Sequence, residues 1–238
     1  MTKRVWAVVP AGGVGSRMGT ALPKQYLRLM GTPVIQYTLE RLCECASVDR
    51  LVLGISRNDP HWAALGYQHP RLAAVVDAGQ ERVDTVENCL RAIEEQGGAE
   101  DWALVHDAAR PCVRPDEIDR LIDTVRQRGE GGILAVRVSD TIKRSHREST
   151  PRILETVPRD ALWRAMTPQL FRVGELLNAI QHAREAGAVI TDEASAMEAA
   201  GVQPLLLSCS PDNIKITLPR DIQFAEMILR AQQGEHDD

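Results

Sequence analysis

The chain has few aromatic residues, 4% of the total, and no surplus of basic charge: 28 Lys and Arg stand against 33 Asp and Glu, a net charge of −5. A nucleic-acid binder usually carries a basic face, so nucleic acid is not expected as a partner. Long apolar runs are missing as well. None approaches the ~18 residues of a membrane-spanning helix, so no membrane association is expected. The stretch from Met1 to Pro10 is too short for a signal peptide and has no small-residue cleavage site. Cysteine is sparse and unpatterned. Cys43, Cys45, Cys89, Cys112 and Cys209 form no CxxC spacing, which argues against a disulfide framework and against structural zinc. The expectation is a cytoplasmic protein with free thiols.

Hydrophobic residues make up 44% of the 238, enough to fill a sizeable core. They alternate between short β-branched runs and helical stripes. Val5 to Val9, Leu51 to Ile55, Ala73 to Val76, Ala103 to His106 and Gly132 to Val138 read as strands. Thr32-Pro33 reads as a helix start, with Thr32 as N-cap and Pro33 in the first turn. Ile35, Leu39 and Leu42 then share one face. Val83, Val86, Leu90 and Ile93 make a second stripe, and Pro115-Asp116 opens a third helix. Helical patterning returns at Gly174 to Ala186, Asp192 to Ala200 and Pro219 to Arg230. Such alternation predicts an α/β fold, a mostly parallel Rossmann-like sheet with helices on both faces. One domain over 1–238 is expected. An arm at about 139–163 interrupts the rhythm; it is polar, with a turn at Glu148 to Pro151, and reads as a protruding β-hairpin. A hairpin without a core is marginal alone, so it is expected to pack on a second copy of the chain.

Ligands of such folds sit at the carboxyl ends of the strands. After the first strand comes Pro10-Ala11-Gly12-Gly13-Val14-Gly15-Ser16-Arg17-Met18-Gly19, then Pro23-Lys24-Gln25-Tyr26. Glycines admit phosphate oxygens to backbone N–H groups, while Arg17 and Lys24 offer a planar fork and a point charge. The spacing is neither the dinucleotide fingerprint nor a Walker loop. A glycine-rich turn alone is as readily structural; the full string is more specific. Val105-His106-Asp107-Ala108-Ala109-Arg110-Pro111 ends the fourth strand. Asp107 can hold Mg²⁺ with phosphates and water completing the shell, and Arg110 can meet a second phosphate. A capping aspartate beside an exposed arginine is the bland alternative. His106 reads as a packed or hydrogen-bonded histidine, not a base. In Asp212-Asn213-Ile214-Lys215-Ile216-Thr217, Lys215 interrupts apolar neighbours in a strand-like segment and can point into a site or lie on an exposed edge. Gly79-Gln80-Glu81-Arg82 with Thr85 can face a nucleotide or simply start a helix. Thr191-Asp192-Glu193 reads as a structural N-cap with an acidic first turn.

The ordered strings PAGGVGSRMG, PKQY, VHDAARP, TPQ, TDEASAME and DNIKIT span nearly the whole chain. Together they resemble the 2-C-methyl-D-erythritol 4-phosphate cytidylyltransferase family. The resemblance implies a nucleotide-diphospho-sugar-transferase-like fold, homodimerised through the hairpin arm. It implies transfer of CMP from CTP to methylerythritol phosphate with release of pyrophosphate, assisted by Mg²⁺ or another divalent cation. By position it implies Arg17 and Lys24 as the transition-state-stabilising pair, with Lys215 also catalytic. Ala11, Gly12, Gly13, Gly79 and Thr85 match nucleotide-contacting positions, and Asp107 the metal ligand. Arg110, Thr141, Arg159, Thr167, Asp212 and Lys215 match the methylerythritol phosphate site, Arg159 reaching the partner's site. Two positions depart from the family pattern: Gln80 replaces a common aspartate and Thr85 a common serine.

Three rival readings share some of these features. A CDP-ribitol-type cytidylyltransferase would use the same glycine loop, cations and aspartate. A nicotinamide oxidoreductase requires a glycine spacing that is absent, although Asp59 lies near the second-strand acidic position. A non-catalytic nucleotide sensor explains the glycine loop but gives no reason for Lys24, Asp107 and Lys215 together.

Overall fold

The computed structural model describes residues 3–13, 22–146 and 150–234. In chain order the elements begin with β1 (Val5–Pro10), a 3-10 turn (Lys24–Tyr26), the short strands β2 (Arg28–Leu29) and β3 (Thr32–Pro33), and α1 (Val34–Glu44). Next come β4 (Arg50–Ile55), α2 (Pro60–Leu65), β5 (Leu72–Asp77), α3 (Arg82–Glu95), β6 (Trp102–Val105) and α4 (Pro115–Arg128). The chain continues through β7 (Gly132–Arg137), β8 (Ile142–Ser145), β9 (Ile153–Val157) and β10 (Trp163–Arg172). It ends with α5 (Val173–Glu185), α6 (Glu193–Ala199), β11 (Leu205–Ser208) and α7 (Asp221–Gly234).

The main sheet has seven strands in the order β11-β7-β10-β6-β1-β4-β5. Every neighbour pair is parallel except those of β10, which runs antiparallel to β6 and β7. The apolar run of β1 serves both faces, as alternation along a strand requires. Val5, Ala7 and Val9 pack with α1 and α4, whereas Trp6 and Val8 pack with α3, α5 and α6. A third cluster seats α7 against Leu29, Val34 and Ile216. This is the α/β architecture expected from the sequence, with helices on both faces.

Local chemistry fixes the helix ends. Pro115 sits in the first turn of α4 with Asp116 and Glu117, Arg126 and Arg128 close the last turn, and Gly129 ends it at φ 72°. The start of α1 differs from the sequence reading. Thr32 and Pro33 pair with β2, Pro33 occupies the N-cap in extended conformation, and the helix begins at Val34. The Val34 N–H donates to the Leu27 carbonyl, so a backbone group takes the place of the Thr32 cap.

Besides the 3-10 turn and the short pair β2–β3, the sequence pattern did not reveal α2, β10 or β11. The arm is shorter than expected, because Trp163 already belongs to the main sheet. Its strands β8 and β9 pair antiparallel as the expected hairpin, while residues 147–149 of the turn lie outside the described residues. The segment holding Lys215 is irregular rather than a strand. The Ile216 N–H donates to the Ala109 carbonyl at 2.9 Å, and Ile216 is buried in the third cluster while Lys215 is exposed. No helix among the described residues is long and apolar enough to cross a membrane, and all five cysteines are free.

Candidate active site

The carboxyl ends of β1, β5 and β6 open into a cavity of about 560 Å³. The glycine loop forms one wall. Gly12 passes so close to β5 that a Cβ on it would lie 2.1 Å from the Ala78 Cβ, and any larger residue would push the wall outward. Ala11 donates its N–H to the Gly54 carbonyl at 2.7 Å and accepts from Gln25 Nε2 at 2.8 Å. Buried Gln25 thereby fastens the 3-10 turn beneath the glycine loop and carries Lys24 to the cavity wall. Arg17 lies outside the described residues.

The opposite wall is the Gly79 turn and the start of α3. A Cβ on Gly79 would meet the Asp84 Cβ at 2.1 Å. The Gly79 N–H donates to Thr85 Oγ1 at 3.1 Å, and the Thr85 hydroxyl donates in turn to the Glu81 carbonyl at 3.2 Å. Thr85 therefore shapes the turn with its hydroxyl while its side chain lines the cavity.

Asp107 forms the floor. It is 7% exposed, and its two oxygens are divided among three cations. Arg82 Nε donates to Oδ1 at 2.9 Å, Lys215 Nζ sits 2.7 Å from Oδ2, and Arg110 Nε approaches Oδ2 to 3.7 Å. Burial alone would raise the Asp107 pKa; the adjacent Arg82, Lys215 and Arg110 charges reverse this and hold it well below the usual carboxylate range. The carboxylate is therefore ionised near neutral pH.

Beneath the floor, Thr167 Oγ1 accepts the Asp107 N–H at 3.0 Å and meets His106 Nδ1 at 3.0 Å. His106 Nε2 lies 3.0 Å from the Arg110 carbonyl, which can only accept. Nε2 therefore carries the ring proton, and neutral Nδ1 accepts from the Thr167 hydroxyl. Burial lowers His106 to about 4, so it is a neutral structural hinge for the loop, as its sequence context implied.

The structure thus gathers Ala11, Gly12, Gly13, Lys24, Gly79, Thr85, Asp107 and Lys215 around one cavity. Other expected residues sit elsewhere. Arg110 and Thr167 lie behind Asp107, and Arg110 also donates to the Asn213 carbonyl at 2.7 Å. Asp212 lies in a turn, its N–H bonded to Ser210 Oγ at 3.1 Å. Thr141 and Arg159 are exposed at the base of the arm, where Arg159 bonds the Ser139 carbonyl. Sequence reasoning missed Arg82 and Gln25. Arg82 was quoted in its motif, but nothing local distinguished it from an ordinary first-turn arginine; Gln25 sat inside PKQY, overshadowed by Lys24.

A single ionised carboxylate fits Mg²⁺, which is commonly held by one carboxylate with phosphate oxygens and waters. It does not fit a metal caged by protein alone, since no group of three His, Cys, Asp or Glu side chains converges among the described residues.

Residues 5–231 match the family model described as IspD: 2-C-methyl-D-erythritol 4-phosphate cytidylyltransferase. A relative of that name from Shewanella loihica is 47% identical over 233 residues, covering 96% of this chain and 93% of its own length. The one from Hahella chejuensis is 43% identical over 234 residues, 98% of this chain and 96% of its own. Among solved structures, a 4-diphosphocytidyl-2C-methyl-D-erythritol synthase superposes with a TM-score of 0.80 at 36% identity, covering 96% of this chain and 99% of that one. The Francisella tularensis 2-C-methyl-D-erythritol 4-phosphate cytidylyltransferase does so at 0.80 with 34% identity, over 94% and 99%. With the family model matching residues 5–231 and relatives 43% and 47% identical over nearly their whole length, the chain belongs to the 2-C-methyl-D-erythritol 4-phosphate cytidylyltransferase family.

Proposed function

We propose that the chain transfers CMP from CTP to 2-C-methyl-D-erythritol 4-phosphate, in isoprenoid precursor synthesis, and works as a cytoplasmic homodimer. The observation that carries this reading is the convergence of Lys24 and Lys215, from separate segments, with ionised Asp107 on one cavity. Family membership supplies the two substrates. A phosphate oxygen of methylerythritol phosphate attacks the α-phosphorus of CTP. A new P–O bond forms, the bond from the α-phosphorus to the bridging oxygen breaks, and pyrophosphate leaves with that electron pair. The nucleophile is already anionic, so no general base is needed.

Two anions approach in this reaction, so charge neutralisation and positioning dominate. Lys24 and Lys215 hold the α-phosphate as its negative charge grows, and Arg17 stabilises the departing pyrophosphate. Lys215 exchanges its Asp107 partner for phosphate when CTP binds. Asp107 would hold Mg²⁺, which when bound supplies Lewis-acid neutralisation of the triphosphate. Gly12, Gly13 and Gly79 present backbone to the nucleotide, beside Ala11 and Thr85. Arg110, from behind Asp107, and Asp212, from its turn, serve the methylerythritol phosphate side, with Thr167 setting the loop. Thr141 and Arg159 serve it from the arm, Arg159 reaching the second copy's cavity. Lys215 requires no neighbouring subunit, since it reaches the cavity within one chain.

The test is pyrophosphate release with CTP, UTP, ATP or GTP, each with Mg²⁺ and with or without methylerythritol phosphate. Release should require CTP and the sugar phosphate together. Equal turnover of all four nucleotides, or of ribitol phosphate in preference, would displace this reading.

A further inference from the structure

Glu193 is 2% exposed, which for a glutamate calls for a reason. It begins α6, and both its oxygens are taken by Arg82: Nη1 donates to Oε1 at 2.6 Å and Nη2 to Oε2 at 3.1 Å. The remaining Arg82 nitrogen, Nε, donates to Asp107 Oδ1. One guanidinium thus joins two carboxylates from distant parts of the chain, a geometry that needs the planar fork and that a lysine cannot reproduce. Among the described residues Arg82 lines the cavity and Glu193 does not, so Glu193 stands behind the guanidinium.

The anchor point is itself held. Gln169 donates to Asp192 Oδ2 at 2.8 Å and accepts the Ala194 N–H at 2.8 Å, clasping the start of α6 from both sides. Gln169 follows Thr167 by two residues in β10, and Thr167 holds the Asp107 backbone. The connections close a ring: Asp107 to Arg82, Arg82 to Glu193, α6 to Gln169, and β10 back through Thr167 to Asp107. Both the main chain and the side chain of Asp107 are fixed by one circuit.

A buried ion pair is poor evidence for stability, because apolar residues of similar volume often serve as well or better. What the circuit does provide is orientation. We propose that Arg82 and Glu193 are positioning residues for Asp107: Glu193 clamps the guanidinium, and the guanidinium pins Oδ1 so that Oδ2 faces the cavity. This rests on Asp107 being the metal-holding residue of the proposed function. Outer partners of this kind typically change metal affinity or activity by about 10–100-fold when removed.

The experiment uses Glu193→Gln, Arg82→Lys and the double variant Arg82→Met/Glu193→Met. Melting temperature is read without ligand, with CTP, and with CTP plus Mg²⁺; the Mg²⁺ half-saturation of pyrophosphate release is read well below melting. Glu193→Gln should raise the Mg²⁺ half-saturation about 10-fold or more and shrink the Mg²⁺-dependent part of the melting shift. Arg82→Lys should raise the half-saturation likewise, because a lysine cannot bridge both carboxylates. The double variant should regain melting temperature, because no buried charge is left unpaired, yet keep the raised half-saturation. It also carries the test if Glu193→Gln does not fold. A double variant with wild-type melting and a wild-type Mg²⁺ response would overturn the proposal, leaving the pair a packing device. A wild-type protein whose melting ignores CTP and Mg²⁺ would instead sink the proposed function, and this inference with it.

Discussion

Asp107 is 7% exposed and is held by side chains from four places in the chain, Arg82, Arg110, Thr167 and Lys215. On the arm, Ile153 and Leu154 are 67% and 53% exposed, and the strands are tied mainly by their own ladder. Cross-strand contacts there, such as Arg144 with Glu155 at 2.8 Å, are exposed ion pairs worth about 0–1 kcal/mol each. The cavity floor is complete within one chain, whereas the arm displays apolar surface that one chain does not cover. The difference teaches how each region is held: the floor by side chains drawn from distant parts of the chain, the arm mainly by its own two-stranded ladder.

The largest effect belongs to the cavity. Lys24→Ala should lower kcat by about 10²–10³-fold with an unchanged melting temperature, since it removes a donor that acts mainly in the transition state. Steady-state kinetics beside a thermal melt check this; a near-normal kcat would break the assignment.

Next comes the hinge beneath the floor. Burial lowers His106 from 6.5 to about 4. The unfolded chain takes up this proton below pH 6.5 and the folded chain only near 4, so the contribution is complete above 6.5 and drains away as pH falls to 4. The full loss is roughly 3 kcal/mol. Urea unfolding at pH 7 and pH 5 should show a drop in the wild type that His106→Gln largely removes; equal drops would place the acid sensitivity elsewhere.

Arg159→Ala tests the arm. Losing one charge-assisted bond, worth about 1.5–3 kcal/mol, should raise the KM for methylerythritol phosphate about 10-fold or more, while kcat and melting change little. An unchanged KM would mean that Arg159 is only solvated. The smallest effect on the fold should come from Ile153→Asp with Leu154→Asp. Both sites are exposed, so secondary structure and melting should persist while light scattering shows a shift from dimer to monomer mass. An unchanged mass would detach the arm from assembly.

The same contrast explains what the sequence revealed. Strands buried on both faces, such as Val5 to Val9, announce themselves as continuous apolar runs, and the stripes of α3 and α4 follow helical spacing. β10 was missed because its polar residues Thr167 and Gln169 are structural hydrogen-bonders in the interior, which breaks the apolar pattern. β11 is a half-buried edge strand, and α2 is only one and a half turns long with no buried residue. At the site, Asp107 is legible as a charge where a strand ends and Lys24 as one following a glycine loop, whereas Lys215 alone reads equally as an exposed edge lysine and stands out only beside the other motifs. Arg82 and Glu193 were not, because their significance lies in a pairing across 111 positions of sequence. Thr191-Asp192-Glu193 reads as an N-cap with an acidic first turn; the structure puts the cap on Asp192, and the partner of Glu193 is visible only in three dimensions.

The most direct measurement is a crystal structure of the protein soaked with CTP and Mg²⁺. The expected density places the triphosphate between Lys24 and Lys215, with Lys215 drawn off Asp107 and a cation on Oδ2. A nucleotide bound in any other cavity, or a triphosphate that leaves the Lys215–Asp107 pair intact, would contradict the convergence of these groups on one ligand.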